Sequence, residues 1–103
     1  MKYQVQENCL TIFLPNEMDH HNAEEIRNRA DRLIEEHQIK CVIFDFSDTN
    51  FMDSSGIGLV MGRYKNLQKS GAKLNLSNLP PNIYKVMKLS GIERLAKIDK
   101  GEN

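Results

Sequence analysis

Tryptophan is absent from the 103 residues, cysteine occurs twice, proline and histidine three times each, and there is no surplus of charge. Two cysteines exclude a disulfide-stapled scaffold. Cys9 and Cys41 lie far apart in apolar runs without a CxxC spacing, so both read as buried, reduced thiols. The 14 basic residues balance the 14 acidic ones, which leaves no field to draw in nucleic acid or a basic partner. No apolar run approaches the ~18 residues of a membrane span, and Met1 to Glu7 has no signal-peptide core. The expectation is a cytoplasmic protein without membrane or nucleic-acid contacts. His20 and His21 are adjacent, so their rings diverge, and no cysteine or third histidine supports them as metal ligands.

What is present is ordinary for a globular domain: 40% hydrophobic and 27% charged residues, in a length that predicts one domain over 1–103. Tyr3 and Val5, then Leu10, Ile12 and Leu14, alternate with polar neighbours around Glu7-Asn8 and predict a hairpin ending at Pro15-Asn16. Asn22-Ala23-Glu24-Glu25 offers an N-cap with a glutamate three residues on, opening a helix to about His37. Cys41 to Phe46 has the composition of a buried strand. Ile57, Val60, Met61, Tyr64 and Leu67 give a second helix, stopped near Gly71. Lys73 to Ser77 alternates as a strand, and Asn78 to Pro81 predicts a turn with Pro81 opening a third helix. That helix directs Ile83, Val86 and Met87 to the core. Ile98 belongs to a closing strand, and Lys100 to Asn103 is expected to fray. The order β-β-α-β-α-β-α-(β) predicts an α/β fold with a single mixed sheet of about four to five strands and about three to four helices.

The organising stretch is Asp53-Ser54-Ser55-Gly56-Ile57-Gly58, where a strand region feeds the second helix. A dinucleotide loop is excluded there, because Gly56, Gly58 and Gly62 are spaced one residue too long and no acidic residue follows at the ribose distance. No G-K-[ST] makes a P-loop, and no G-x-S-x-G makes a nucleophile elbow. The serines have no nearby base for covalent catalysis, so no catalytic residue, cofactor or metal is expected. Asp53 reads equally as a helix cap and as a partner-facing carboxylate. Two hydroxyls at a helix start, flanked by glycines that do not obstruct an approaching surface, make a candidate phospho-switch. There a phosphate would meet free amides and the positive end of the helix dipole.

Phe51-Met52-Asp53-Ser54-Ser55-Gly56-Ile57-Gly58, continuing through Gly62-Arg63-Tyr64-Lys65, resembles the signature of the bacterial anti-sigma factor antagonists, which have the STAS fold. Glu17-Met18-Asp19-His20-His21-Asn22-Ala23-Glu24 is similar to a segment of their sporulation subgroup, and the resemblance covers nearly the whole chain. It implies a regulatory cycle in place of a reaction. Unphosphorylated, such a protein binds an anti-sigma factor that is also a GHKL-type serine kinase, releasing the sigma factor. The kinase, which holds the ATP, phosphorylates the residue that is Ser54 here, and a metal-dependent PPM-type phosphatase restores it. The resemblance places Asp19, Asp53, Ser55 and Gly56 in the docking surface. Two departures stand out: Asn16 replaces a usual glycine, where its tolerance of positive φ would preserve the turn, and the C-terminus is short. The alternative is a STAS module that senses a small ligand or nucleotide, or scaffolds a complex, without being a kinase substrate.

Overall fold

The computed structural model describes residues 1–101. β1 (Lys2–Gln6) and β2 (Cys9–Phe13) form the antiparallel hairpin. Glu7 and Asn8 join them with φ of 50° and 64°. Two consecutive left-handed residues are the type I′ turn, whose twist matches that of the strands. β3 (Glu17–Met18) leads into α1 (His20–Glu36), and β4 (Cys41–Asp45) follows. β5 (Phe51–Met52) then leads into α2 (Ser54–Gln68). β6 (Lys73–Leu79), α3 (Pro81–Leu89), a 3-10 turn (Ile92–Arg94) and β7 (Lys97–Lys100) complete the order.

The five-stranded sheet runs β1-β2-β4-β6-β7, antiparallel at its first pair and parallel at the others. Each parallel step moves the same way across the sheet through one helix. Right-handed crossovers therefore put all three helices on one face. Burial follows that rule. Leu10, Ile12, Val42, Phe44, Leu74 and Leu76 are buried on the helix side. Ile26, Ala30 and Leu33 of α1, Leu59, Val60 and Leu67 of α2, and Ile83 and Met87 of α3 join them in one core. The alternating positions Cys9, Thr11, Cys41, Ile43, Asn75 and Ser77 are only half-buried, on a face that no helix covers among the described residues.

Several expectations change. Asn22 does not cap α1; Asp19 does, and Asn22 lies in the first turn with its side-chain amide donating to the Glu17 carbonyl at 2.7 Å. His20 and His21 form the first turn of α1 ahead of Asn22. Cys9 and Cys41 are half-exposed, because both fall on the open face. Val86 points outward, since α3 buries Ile83 and Met87 one turn apart and Val86 falls off that stripe. β6 continues through Asn78, which absorbs a bulge with φ of 56°, to pair Leu79 with Lys100. Lys100 thus ends a strand, while Glu102 and Asn103 of the expected frayed tail lie outside the described residues. Asn16 does not adopt positive φ, so its substitution for glycine asks nothing special of the backbone.

Candidate functional site

The site is built where two short strands meet. β3 and β5 pair in parallel, Glu17 with Phe51 and Met18 with Met52, so the residues that follow them, Asp19 and Asp53, emerge side by side. The loops beneath are tied together. The Asn16 carbonyl accepts from the amides of Asn50 (2.8 Å) and Phe51 (3.1 Å), and the buried Thr49 hydroxyl donates to the Pro15 carbonyl at 2.9 Å. Two residues per strand leave no periodicity to read, so this small sheet was invisible to sequence patterning.

Each aspartate caps its helix. Asp19 Oδ1 accepts from the Asn22 amide at 2.9 Å, and Asp53 Oδ1 from the Ser55 amide at 2.8 Å. An Ncap carboxylate both satisfies an orphan amide and complements the helix dipole. Both readings of Asp53 therefore remain compatible, since it caps α2 while staying half-exposed. Ser54, the first residue of α2, is exposed, and Ser55 is half-buried. Gly56 does not reach the surface. A Cβ built on it would sit 2.3 Å from Met52 Cγ and 2.6 Å from Met52 Sδ. Its missing side chain makes room inside the fold, for β5, and not outside for a partner. Gly58 and Gly62 are the glycines of α2 that leave open space, with nothing within 4 Å of either missing Cβ.

Two further residues belong to this surface. Phe51 is 52% exposed on β5, one residue pair from Ser54, and is an apolar anchor in an otherwise polar loop. Arg63 lies two turns into α2 with its side chain only 8% exposed, and its Nε is 2.8 Å from Asp31 Oδ1 on α1. That contact is ionic in distance but poorly aligned, so Nε and Nη1 have no hydrogen-bond partner. Burial lowers the Arg63 pKa, Asp31 opposes the shift, and the charge of Arg27 adds to it. Above this pair an open groove of about 630 Å³ runs between α1 and α2, lined by His20, Arg27, Ser55, Gly58 and Gly62 among others. Periodicity gave no sign of the Arg63–Asp31 contact, which joins residues far apart in sequence. No group of three or more potential metal ligands occurs among the described residues. No helix there is long and apolar enough to cross a membrane.

The profile of the STAS domain matches residues 1–103. The anti-sigma F factor antagonist of Lysinibacillus sphaericus is 35% identical over 88 residues, covering 85% of this chain and 75% of that protein. The solved structure of the anti-sigma factor antagonist SpoIIAA in its unphosphorylated form superposes with a TM-score of 0.77 at 30% identity, covering 99% of this chain and 90% of that one. SpoIIAA of Bacillus in its phosphorylated form gives a TM-score of 0.76 at 33% identity, covering 94% and 90%. The first two of these are named for antagonising another protein, not for a reaction. With a hairpin-led mixed sheet, three helices on one face and a serine at the start of α2, the chain belongs to the STAS domain family and sits among its anti-sigma factor antagonists.

Proposed function

We propose that residues 1–103 act as one anti-sigma factor antagonist module, cytoplasmic and of the sporulation type. Unphosphorylated, it docks on an anti-sigma factor that is also a GHKL-type serine kinase, and so releases the sigma factor. Phosphate on Ser54 ends the docking, and a PPM-type phosphatase resets the switch; ATP and metal belong to those partners. The observation that carries this reading is Ser54 itself: an exposed hydroxyl at the first position of α2, beside a cap that Asp53 already supplies. Because Ser54 does not cap the helix, phosphate can be added without removing a bond the fold needs. Its charge of about −1.5 to −2 is favoured by the helix dipole, yet it lands beside Asp53 and on the approach surface. The fold therefore tolerates the modification while the interface does not. Asp19, Phe51, Asp53 and Ser55 share the docking surface with that hydroxyl, and the existence of SpoIIAA in unphosphorylated and phosphorylated forms supports the cycle.

Incubation with a sporulation-type anti-sigma kinase and ATP, followed by intact mass and peptide mapping, tests it. The expected product carries one phosphate at Ser54, and Ser54→Ala carries none. An unmodified wild type in the presence of an active kinase overturns the switch. Phosphate on Ser54→Ala moves the role to Ser55. The groove lined by Arg27 and Ser55 favours a second reading, a module that senses a small ligand or nucleotide; retention on immobilised nucleotide without a partner is its signature.

A further inference from the structure

Cys9 and Cys41 are separated by the whole first crossover, yet they are direct partners in the parallel pairing of β2 and β4. Both side chains lie on the uncovered face of the sheet, and both are half-exposed. Adjacent strands are about 4.7–4.9 Å apart, inside the roughly 4.4–6.8 Å over which two Cα atoms can be bridged by a disulfide. As register partners on one face, the two side chains project side by side from neighbouring strands. From β6, the Asn75 side-chain amide approaches Cys41 Sγ at 3.9 Å, and Lys73, the register partner of Cys41, contributes a positive charge. Neither sulfur takes part in the helix-start surface, and no described helix blocks a small molecule from reaching them.

We propose that Cys9 and Cys41 form a reversible dithiol–disulfide site, oxidised by low-molecular-weight disulfides and joining β2 to β4 across the open sheet face. The steps balance as two exchanges. The Cys9 thiolate attacks one sulfur of glutathione disulfide, giving a mixed disulfide on Cys9 and one glutathione thiolate. Cys41 then attacks the Cys9 sulfur, expels the second glutathione as thiolate, and gives its proton to a departing thiolate. The net change is two protein thiols oxidised to one disulfide and one glutathione disulfide reduced to two glutathiones. The order follows from the surroundings. Burial pushes the Cys41 thiol up to about 11, Cys9 adds to the shift and Lys73 opposes it, so Cys41 keeps its proton until its neighbour has reacted. The closed bond encloses β3 and all of α1, and fixes the register of β2 on the central strand.

The test uses the full chain, reduced, then incubated with glutathione disulfide, quenched with N-ethylmaleimide and weighed intact. The expected product has lost two hydrogens, carries neither glutathione nor maleimide, returns to the dithiol with dithiothreitol, and yields a non-reduced peptide joining Cys9 to Cys41. Cys41→Ser is expected to stop at one glutathione on Cys9. Cys9→Ser loses the part of the Cys41 shift that Cys9 itself contributes but keeps the burial, and is expected to react more slowly than Cys41→Ser. A wild type that accumulates bound glutathione, keeps both thiols open to maleimide, or forms only a covalent dimer overturns the site. Equal rates for the two serine variants overturn the assigned order.

Discussion

α1 and α2 begin in the same way and end up with different uses. Each follows a two-residue strand of one small parallel sheet, and each is capped by the aspartate that comes next. After Asp19 come His20, His21 and Asn22; after Asp53 come Ser54, Ser55 and Gly56. At the first start the surface is bulky. His20 lies 3.8 Å from Glu24, and Asn22 reaches back to hydrogen-bond Glu17. At the second it is bare: two small hydroxyls, then a glycine pressed against Met52. One backbone device supports both helices, and only the start stripped of side chains leaves a nucleophilic oxygen open to another protein. The cap stabilises the helix, and the residues after it decide what the helix start is for.

Exchanging residues between the starts tests this. Gly56→Asn gives the second start the residue of the first, and its Cβ would fall 2.3 Å from Met52 Cγ. The expected loss is about 1–3 kcal/mol, as for an overpacked core, read by urea denaturation. Asn22→Gly removes one exposed hydrogen bond and adds backbone freedom, so it is expected to cost about 1 kcal/mol. Equal losses would mean that the two turns are interchangeable.

Ser54→Asp places one charge where phosphate places nearly two. It is expected to weaken kinase docking about tenfold or more with no loss of fold, measured by titration calorimetry. His20→Asp, the matching change at the first start, is expected to have a smaller effect. Wild-type affinity for Ser54→Asp would count against the switch.

Smaller and equal effects are expected from the caps. Asp19→Ala and Asp53→Ala should each cost about 0.5–2 kcal/mol in thermal or chemical unfolding. If Asp53→Ala costs much more, its carboxylate holds the loop as well as the helix.

A last change, seen only at alkaline pH, lies away from both starts. The Cys41 thiol is raised from 9.0 to about 11 in the fold. A raised folded pKa means that the unfolded chain releases the proton first, so this contribution is complete below about pH 9 and lost as pH rises through 11. Stability is expected to decline over that window in wild type and to decline less in Cys41→Ser, by urea titrations at stepped pH.

Much of this was legible in the chain. The alternation of Tyr3 to Leu14, the apolar run at Cys41 and the spacing of Ile57 to Leu67 dictate strand, strand and helix, because each buries one face. The serine stretch was recognisable from hydroxyls and glycines crowded at a helix start. What stayed hidden is long-range. Asn22 and Asp19 are both competent caps, and Asp19 wins because β3, by pairing with β5, sets where the helix begins. Gly56 reads as surface clearance until Met52 is seen packed against it. The contact of Arg63 with Asp31 and the pairing of Cys9 with Cys41 depend on register between distant segments, which periodicity does not encode.

The position of β4 at the centre of the sheet also orders assembly in time. β2 and β6 both hydrogen-bond to β4, and neither pairs with the other. Residues 1–40 of a growing chain therefore hold a hairpin and a helix whose buried stripe has no floor. Only when Cys41 to Asp45 arrives can that stripe close, at the cost of a long loop. A ribosome-bound fragment ending before β4 is thus expected to remain open to protease, and one that includes α2 and β6 to resist it.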